Sequence, residues 1–316
     1  MLKNKHLISL KNYPVEDLKN IINTAFNFRK VLDRPIKKVP SLKGVTMLNL
    51  FFENSTRTRI SFELAQKRLS ADTVNFSASS SSLNKGESFK DTARNIEAMK
   101  IDVVVMRHPT PGAAQHLTEF IPSIVINAGD GTHEHPTQAI LDIMSLHEKF
   151  GNLHGLKVGI IGDIIHSRVA LSNIYGLKAM GAKVKICGPP NLIPKNISDL
   201  GVSYEKDLND IIDWADAINV LRIQKERMGM SLVPSLREYR NFYGINEESL
   251  KNHKKEIVIM HPGPLNRGVE IDSNIADNDQ SIILKQVLNG VASRMAILFL
   301  LCGGKQSEEG GLYVSK

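Results

Sequence analysis

Along 316 residues, apolar runs of strand length alternate with stretches whose apolar residues return at helical spacing. This alternation constrains the fold more than any other feature, because repeated strand–helix–strand units close as parallel sheets with helices on their faces. Runs at 45–52, 73–76, 103–106 and 124–127 read as strands of a first sheet. From Gln138 to Phe150, Ile140, Ile143, Met144 and His147 recur with a period near 3.6, which predicts a helix closed by Gly151. Further strands are expected at 157–161, 183–187, 217–221 and 257–260, a second sheet. Gly151, Asn152 and Gly155 mark the break between the series. A final helix at about 280–302, with Ile283, Val287, Val291, Met295, Leu298 and Cys302 at helical spacing, is long enough to reach back to the first domain. The expected fold is α/β with two domains, each a parallel sheet flanked by helices: 1–149 joined by the C-terminal helix 285–316, and 150–284. The active site is expected in the cleft between them.

Lys and Arg number 40 against 33 Asp and Glu, a net charge of +7, so an anionic partner has to be considered. A nucleic-acid surface is disfavoured, since no run of five basic residues occurs and aromatics are 6% of the chain. Cys187 and Cys302 lie far apart with no metal-ligand spacing, which argues against structural zinc or a disulfide scaffold and fits a reducing, cytoplasmic setting. The amino terminus lacks a signal-peptide core, and the longest apolar run, at 295–302, is 8 residues, so no membrane span is expected.

Several polar clusters sit where such sheets bind ligands, just past the carboxyl ends of strands. Glu53-Asn-Ser-Thr-Arg-Thr-Arg59 follows a strand and opens an amphipathic helix, so free N–H groups, Ser and Thr hydroxyls and Arg57 form a phosphate site in type. Ser79–Ser88 is a polar loop carrying Lys85 beside Gly86, with a helix cap expected at Ser88. Arg107-His108-Pro109 and Gly131-Thr-His-Glu-His-Pro-Thr-Gln138 follow two more strands; the spacing of His133 and His135 offers no third metal ligand, whereas His135 and Gln138 suit hydrogen bonding to a small polar ligand. Gly159-Ile-Ile-Gly162 lacks the Gly-x-Gly of a dinucleotide loop, so a nicotinamide cofactor is disfavoured. Arg168 and Arg222, each beyond a second-domain strand, could clamp a dicarboxylate through bidentate contacts. His261-Pro-Gly-Pro-Leu-Asn-Arg267 fixes backbone carbonyls with few competing N–H groups, able to accept from an –NH₂.

In this order, Ser-Thr-Arg-Thr-Arg, Lys-Gly-Glu, Arg-His-Pro, His-Pro-Thr-Gln, Arg-x-Gln-x-Glu-Arg and His-Pro-Gly-Pro-x-Asn-Arg resemble the aspartate/ornithine carbamoyltransferase family over nearly the whole chain. The resemblance implies transfer of the carbamoyl group of carbamoyl phosphate to an amino acid, without metal or cofactor. Ornithine enzymes usually carry His-Cys-Leu-Pro and Ser-Met-Gly where this chain has His261-Pro-Gly-Pro264 and Leu221-Arg-Ile-Gln224. Aspartate is therefore the expected acceptor, giving N-carbamoyl-L-aspartate and phosphate in pyrimidine synthesis; ornithine or a modified ornithine is the alternative. By resemblance Ser55, Thr56, Arg57, Thr58 and Arg107 hold the phosphate, while Thr58, Arg107 and His135 face the carbamoyl oxygen. Gln138 and the backbone at Gly263 and Pro264 hold the carbamoyl –NH₂, Arg168 takes the α-carboxylate, and Arg222, Gln224 and Lys85 take the β-carboxylate. Arg57, Thr58, Lys85, Arg107 and His135 are the expected catalytic set, with Ser82 a further candidate beside Lys85. The family pattern also implies that the Ser82–Lys85 loop serves a neighbouring subunit's site in a homotrimer, and leaves room for a regulatory chain or a dihydroorotase as partner.

Overall fold

In the computed structural model, residues 2–77, 88–224, 235–251, 253, 256–306 and 312–314 are described. The chain divides into two units, one of Met1–Met144 with Leu288–Lys316 and one of Ser145–Val287. The first holds α1 (Val15–Leu32), β1 (Thr46–Phe51), α2 (Thr56–Arg68), β2 (Asp72–Ser77), α3 (Phe89–Ala98), β3 (Val103–His108), α4 (Ala113–Leu117) and β4 (Ile124–Asp130). The division falls within α5 (Pro136–Phe150).

The first sheet is parallel, in the order β2-β1-β3-β4. Its central strands are apolar without alternation because both faces are covered: Met47, Leu48, Leu50 and Val103–Met106 are all buried. Asn49 is the polar exception within β1, and its amide is satisfied reciprocally by Gln66 at 3.0 and 2.8 Å and by Asn75 at 2.9 Å. The amino-terminal segment lies along β4, where Leu7 N–H donates to the Val125 carbonyl and Asn127 N–H to the Leu7 carbonyl.

The second unit contains β5 (Lys157–Ile161), α6 (Arg168–Ala179), β6 (Lys183–Cys187), β7 (Ser203–Glu205), α7 (Leu208–Trp214), β8 (Ala217–Val220), α8 (Leu236–Tyr243), α9 (Glu247–Lys251), β9 (Val258–Met260) and α10 (Ser273–Ala276). Its parallel sheet runs β7-β6-β5-β8-β9, so strand order reverses between β5 and β8. Ile161, Ile211, Ile218, Val220 and Ile259 form part of its buried core. The closing helix α11 (Ile283–Leu301) crosses the second division point, and β10 (Gly304–Gln306) pairs with β11 (Leu312–Val314).

The eight expected strands all form; six have ends within one residue of the sequence reading, while β3 and β4 run on to His108 and Asp130, two and three residues past the apolar runs that announced them. The structure adds α1, whose Leu18, Ile21, Ile22, Ala25, Phe28, Val31 and Leu32 make a buried stripe at helical spacing. It also adds β7, too short and too polar to signal itself. The closing helix starts later than residue 280 because Ile259 N–H donates to the Gln280 carbonyl and Ile282 N–H to the Ile259 carbonyl, drawing 280–282 alongside β9 as extended chain. By length and hydropathy α11 could cross a membrane, which the short apolar run at 295–302 did not suggest; 78% of its apolar window is buried inside the fold, as for a core helix.

Candidate functional site

In the first unit the sheet order places three loops that carry candidate site residues side by side. Phe51 is in register with Arg107, and Phe52 N–H donates to the Arg107 carbonyl at 2.9 Å, so the segment leaving β1 starts beside the end of β3. That segment opens α2 with Ser55 as its cap residue. The Ser55 side chain makes no capping hydrogen bond, and the first turn carries no acid. The hydroxyl and the first-turn N–H groups of Thr56, Arg57 and Thr58 are thus disposed toward an anion, with the positive end of the helix dipole behind them.

Arg107 is held in place rather than loose. Its guanidinium donates to the Ala128 carbonyl at 3.0 Å and pairs through Nε with Glu53 at 3.2 Å, with both side chains mostly buried. Glu53 is a residue that motif reasoning quoted without giving it a role. Its position, an acid directly ahead of Ser-Thr-Arg at a strand end, was the available signal. Next to Arg107, the His108 ring accepts from Thr110 N–H at 2.9 Å, and burial lowers its pKa.

The turn after β4 carries the third loop. Asp130 is almost fully buried; burial alone would raise its pKa, but donors from His133, Asn127 and Gly112 overcome this and hold it down. His133 is therefore directed to Asp130, and its own pKa is raised by that hydrogen bond. Glu134 is fully buried, its carboxylate accepting from Ser9 Oγ and, at 2.9 Å, from Leu10 N–H, which ties the turn to the amino-terminal segment. His135 and Gln138 follow at 4% and 8% exposure. Gln138 Nε2 donates to Asp142 at 2.9 Å, so its carbonyl oxygen is the end left to accept from a ligand –NH₂.

The second unit presents its candidates at the ends of the adjacent strands β5, β8 and β9. Ser167 caps α6, accepting from Ala170 N–H at 3.2 Å, which sets Arg168 at the first helical position with 5% exposure. Asp163, fully buried, receives His166 N–H and the His166 ring at 3.1 and 2.9 Å and shapes the turn before Arg168. Arg222 and Gln224 lie just past β8 and are half-buried. Their loop is joined to the one after β9 by Asn266 Nδ2 donating to the Ile223 carbonyl at 3.4 Å. In that last loop Gly263 and Pro264 are accessible, and the bond between them is cis.

The structure thus gathers Ser55, Thr56, Arg57, Thr58, Arg107, His135 and Gln138 at one sheet edge of the first unit. It gathers Arg168, Arg222, Gln224, Gly263 and Pro264 at one sheet edge of the second. Ser82 and Lys85 lie outside the described residues, although the helix cap expected at Ser88 forms, with its hydroxyl accepting from Asp91 N–H at 3.2 Å.

Comparison with known proteins identifies two domains along the chain. Residues 5–148 match the carbamoyl-P binding domain of aspartate/ornithine carbamoyltransferases, and residues 154–301 match their Asp/Orn binding domain. The aspartate carbamoyltransferase catalytic subunit of Cytophaga hutchinsonii is 59% identical over 301 residues, 95% of this chain and 98% of that protein. That of Christiangramia forsetii is 59% identical over 296 residues, covering 94% and 96%. Among solved structures, aspartate transcarbamoylase from Trypanosoma cruzi in complex with carbamoyl phosphate superposes with a TM-score of 0.84 at 30% identity, covering 94% of this chain and 95% of that one. Ornithine carbamoyltransferase from Pyrococcus furiosus superposes with a TM-score of 0.83 at 27% identity, covering 95% and 98%. Paired strand-end loops rich in anion donors, two matched domain families and relatives more than half identical along nearly their whole length together show that the chain belongs to the aspartate/ornithine carbamoyltransferase family.

Proposed function

We infer that this chain transfers the carbamoyl group of carbamoyl phosphate to the α-amino group of L-aspartate, giving N-carbamoyl-L-aspartate and phosphate. The observation that carries the reading is the in-register placement of Arg107 beside the Ser55–Thr58 helix start, an anion site whose cap hydroxyl is not spent on its own helix. Aspartate is favoured over ornithine because Arg168 and Arg222 offer guanidinium forks that match carboxylates and would repel an ammonium. The relatives at 59% identity carry the aspartate enzyme's name.

Ser55, Thr56, Arg57, Thr58 and Arg107 bind the phosphate. Thr58, Arg107 and His135 aim donors at the carbamoyl oxygen, which gains negative charge as the amine attacks; one such preorganised donor is worth about 10²–10³ in rate. Gln138, with Nε2 held by Asp142, and the carbonyls at Gly263 and Pro264 accept from the carbamoyl –NH₂ and set the face open to attack. Arg168 receives the α-carboxylate, and Arg222, Gln224 and Lys85 the β-carboxylate. The amine nitrogen bonds to the carbamoyl carbon, the carbon–oxygen bond to phosphate breaks, and the departing phosphate takes the amine proton. No protein nucleophile or base is needed, since orientation of two held reactants can supply several of the roughly 7–11 kcal/mol available from proximity.

The working form is a cytoplasmic homotrimer in pyrimidine synthesis, with Lys85 serving a neighbouring subunit's site and a regulatory chain or dihydroorotase as its potential partner. The deciding experiment supplies carbamoyl phosphate with either aspartate or ornithine and scores the carbamoylated product. Turnover with ornithine alone would overturn the assignment. Sharing of sites is tested by mixing inactive Lys85→Ala and Arg57→Ala chains under subunit exchange: partial recovery is expected, and none would refute it.

A further inference from the structure

The loop after β9 is held by a buried pair that plays no part in the chemistry above. His261 and Glu270 both have fully buried side chains, and His261 Nε2 lies 3.3 Å from Glu270 Oε1. Gly263 N–H donates to His261 Nδ1 at 2.7 Å, so Nδ1 is an acceptor and the ring proton sits on Nε2, facing the carboxylate. Glu270 Oε1 also accepts from Asn266 N–H at 2.6 Å, and His261 N–H is fixed by Gln286 Oε1 at 3.0 Å. One carboxylate therefore grips the loop directly at Asn266 and, through the imidazole, at Gly263. Both contacts converge on Oε1, and Oε2 is buried with no hydrogen-bond partner among the described residues. Loss of either contact would leave still more of a buried carboxylate uncompensated, which favours a single loop conformation.

We propose that His261 is a positioning residue for carbamoyl recognition: its neutral imidazole, oriented by Glu270, fixes the Gly263–Pro264 backbone whose carbonyls select an –NH₂ group on the bound phosphate compound. The proposal rests on the carbamoyltransferase reading and adds to it the device that sets the carbonyls. The two ring nitrogens have separable duties. Nδ1 holds the loop, and Nε2 holds the tautomer.

The test compares binding of two stable phosphonates by calorimetry on the full chain: phosphonoacetamide, which presents –NH₂, and acetonylphosphonate, which presents –CH₃ in its place. The wild type is expected to favour the amide about tenfold or more, the worth of one or two well-made hydrogen bonds. His261→Asn places an oxygen acceptor where Nδ1 was and should keep that preference within about threefold. His261→Gln places its amide near Nε2, loses the Gly263 contact, and should lose about tenfold of the preference. Inorganic phosphate should bind all three equally, because the Ser55–Thr58 and Arg107 set does not involve this loop. A preference unchanged in His261→Gln, or lost equally in both variants together with phosphate affinity, would overturn the proposal. Nitrogen-15 NMR of the wild-type histidine gives a check that does not depend on variants folding: the Nε2-protonated neutral ring is expected across neutral pH, and an Nδ1-protonated ring or an imidazolium would refute it. Failure of the aspartate assay with the wild type, by contrast, would count against the parent reading and not against the geometry of this loop.

Discussion

Arg294 on α11 is the best place to test how the first unit supports its anion site. Its guanidinium is 4% exposed; it donates to Ser61 Oγ and to the Gly290 carbonyl, each at 3.0 Å, and lies 5.0 Å from the centre of the Phe62 ring. Burial pushes its pKa down to about 10, with Asp142 pulling it up and Arg57 pushing it further down, so it stays charged at neutral pH. Arg294→Met keeps most of the volume and removes the charge that faces the fully buried Asp142. Removing one member of a buried charged set typically costs about 3–5 kcal/mol, because the remaining charge is left in a poor solvent. At roughly 2–4 °C per kcal/mol for a unit of this size, the melting temperature should fall by about 10 °C. The consequence should reach the ligand. Asp142, having lost a nearby cation, holds Gln138 Nε2 less firmly, so the acceptor offered to the carbamoyl –NH₂ is less well oriented. Scanning calorimetry with and without carbamoyl phosphate reads both effects. Adding Asp142→Leu to Arg294→Met should restore part of the stability without restoring ligand-induced stabilisation. A melting temperature within about 2 °C of wild type for the single variant would refute the reasoning, as would full stabilisation by ligand in the double variant.

Arg107→Lys should lower kcat by about 10²–10³, because an ammonium cannot keep the Glu53 and Ala128 contacts and also present a fork to phosphate; steady-state kinetics showing a loss under fivefold would contradict the assigned role. Gly131→Ala should destabilise by about 1–3 kcal/mol and weaken carbamoyl phosphate binding, since a Cβ would stand 2.5 Å from Pro111 Cδ and 2.7 Å from its nitrogen at a residue with φ of +49°; an unchanged melt would show that the turn before His135 yields easily. The His133–Asp130 pair makes a pH-dependent contribution. The raised His133 pKa means this contribution is full below the ordinary value of 6.5 and disappears as pH rises through the raised value. Denaturant titration of His133→Gln should therefore differ from wild type more at acid than at alkaline pH, with the differential cancelling the opposite contribution of His108; parallel profiles would refute it.

How far these features could be read from sequence depends on what each residue does. Strand existence was legible because β1, β3 and β5 are covered on both faces and so spell continuous apolar runs, a signal that survives without knowledge of partners. The start of α11 was not, because residues 280–282 carry a helix-compatible pattern and are recruited to β9 by two backbone hydrogen bonds that only the fold supplies. The residues proposed to bind ligand were legible for a related reason. Ser55, Arg107, Arg168 and Arg222 are polar groups at strand ends, where a sheet of this type leaves its open edge, and their chemistry does not depend on which neighbours they have.

The residues that hold those groups were silent because their signal is relational. Glu53, Glu134, Asp142 and Glu270 are carboxylates in a chain with 33 acids, and nothing in composition separates a buried one from a solvated one. Each becomes distinct only when folding removes it from water, since a buried carboxylate must find donors or a cation. The donors found are at Arg107, at Ser9 and Leu10, at Gln138, and at His261 and Asn266. Glu53 and Asp142 thereby act on a group assigned to substrate, Glu134 fixes the turn directly ahead of His135, and Glu270 closes the loop whose carbonyls are assigned to the carbamoyl nitrogen. The net charge of +7 therefore misleads as a guide to function. What matters is the sign arrangement within each loop, where a cation or neutral donor faces the ligand and a buried acid behind or beside it fixes its direction. A homologue of zero net charge could keep that arrangement intact, whereas Glu53→Gln, which makes the chain more basic still, should weaken the hold on Arg107 and lower activity.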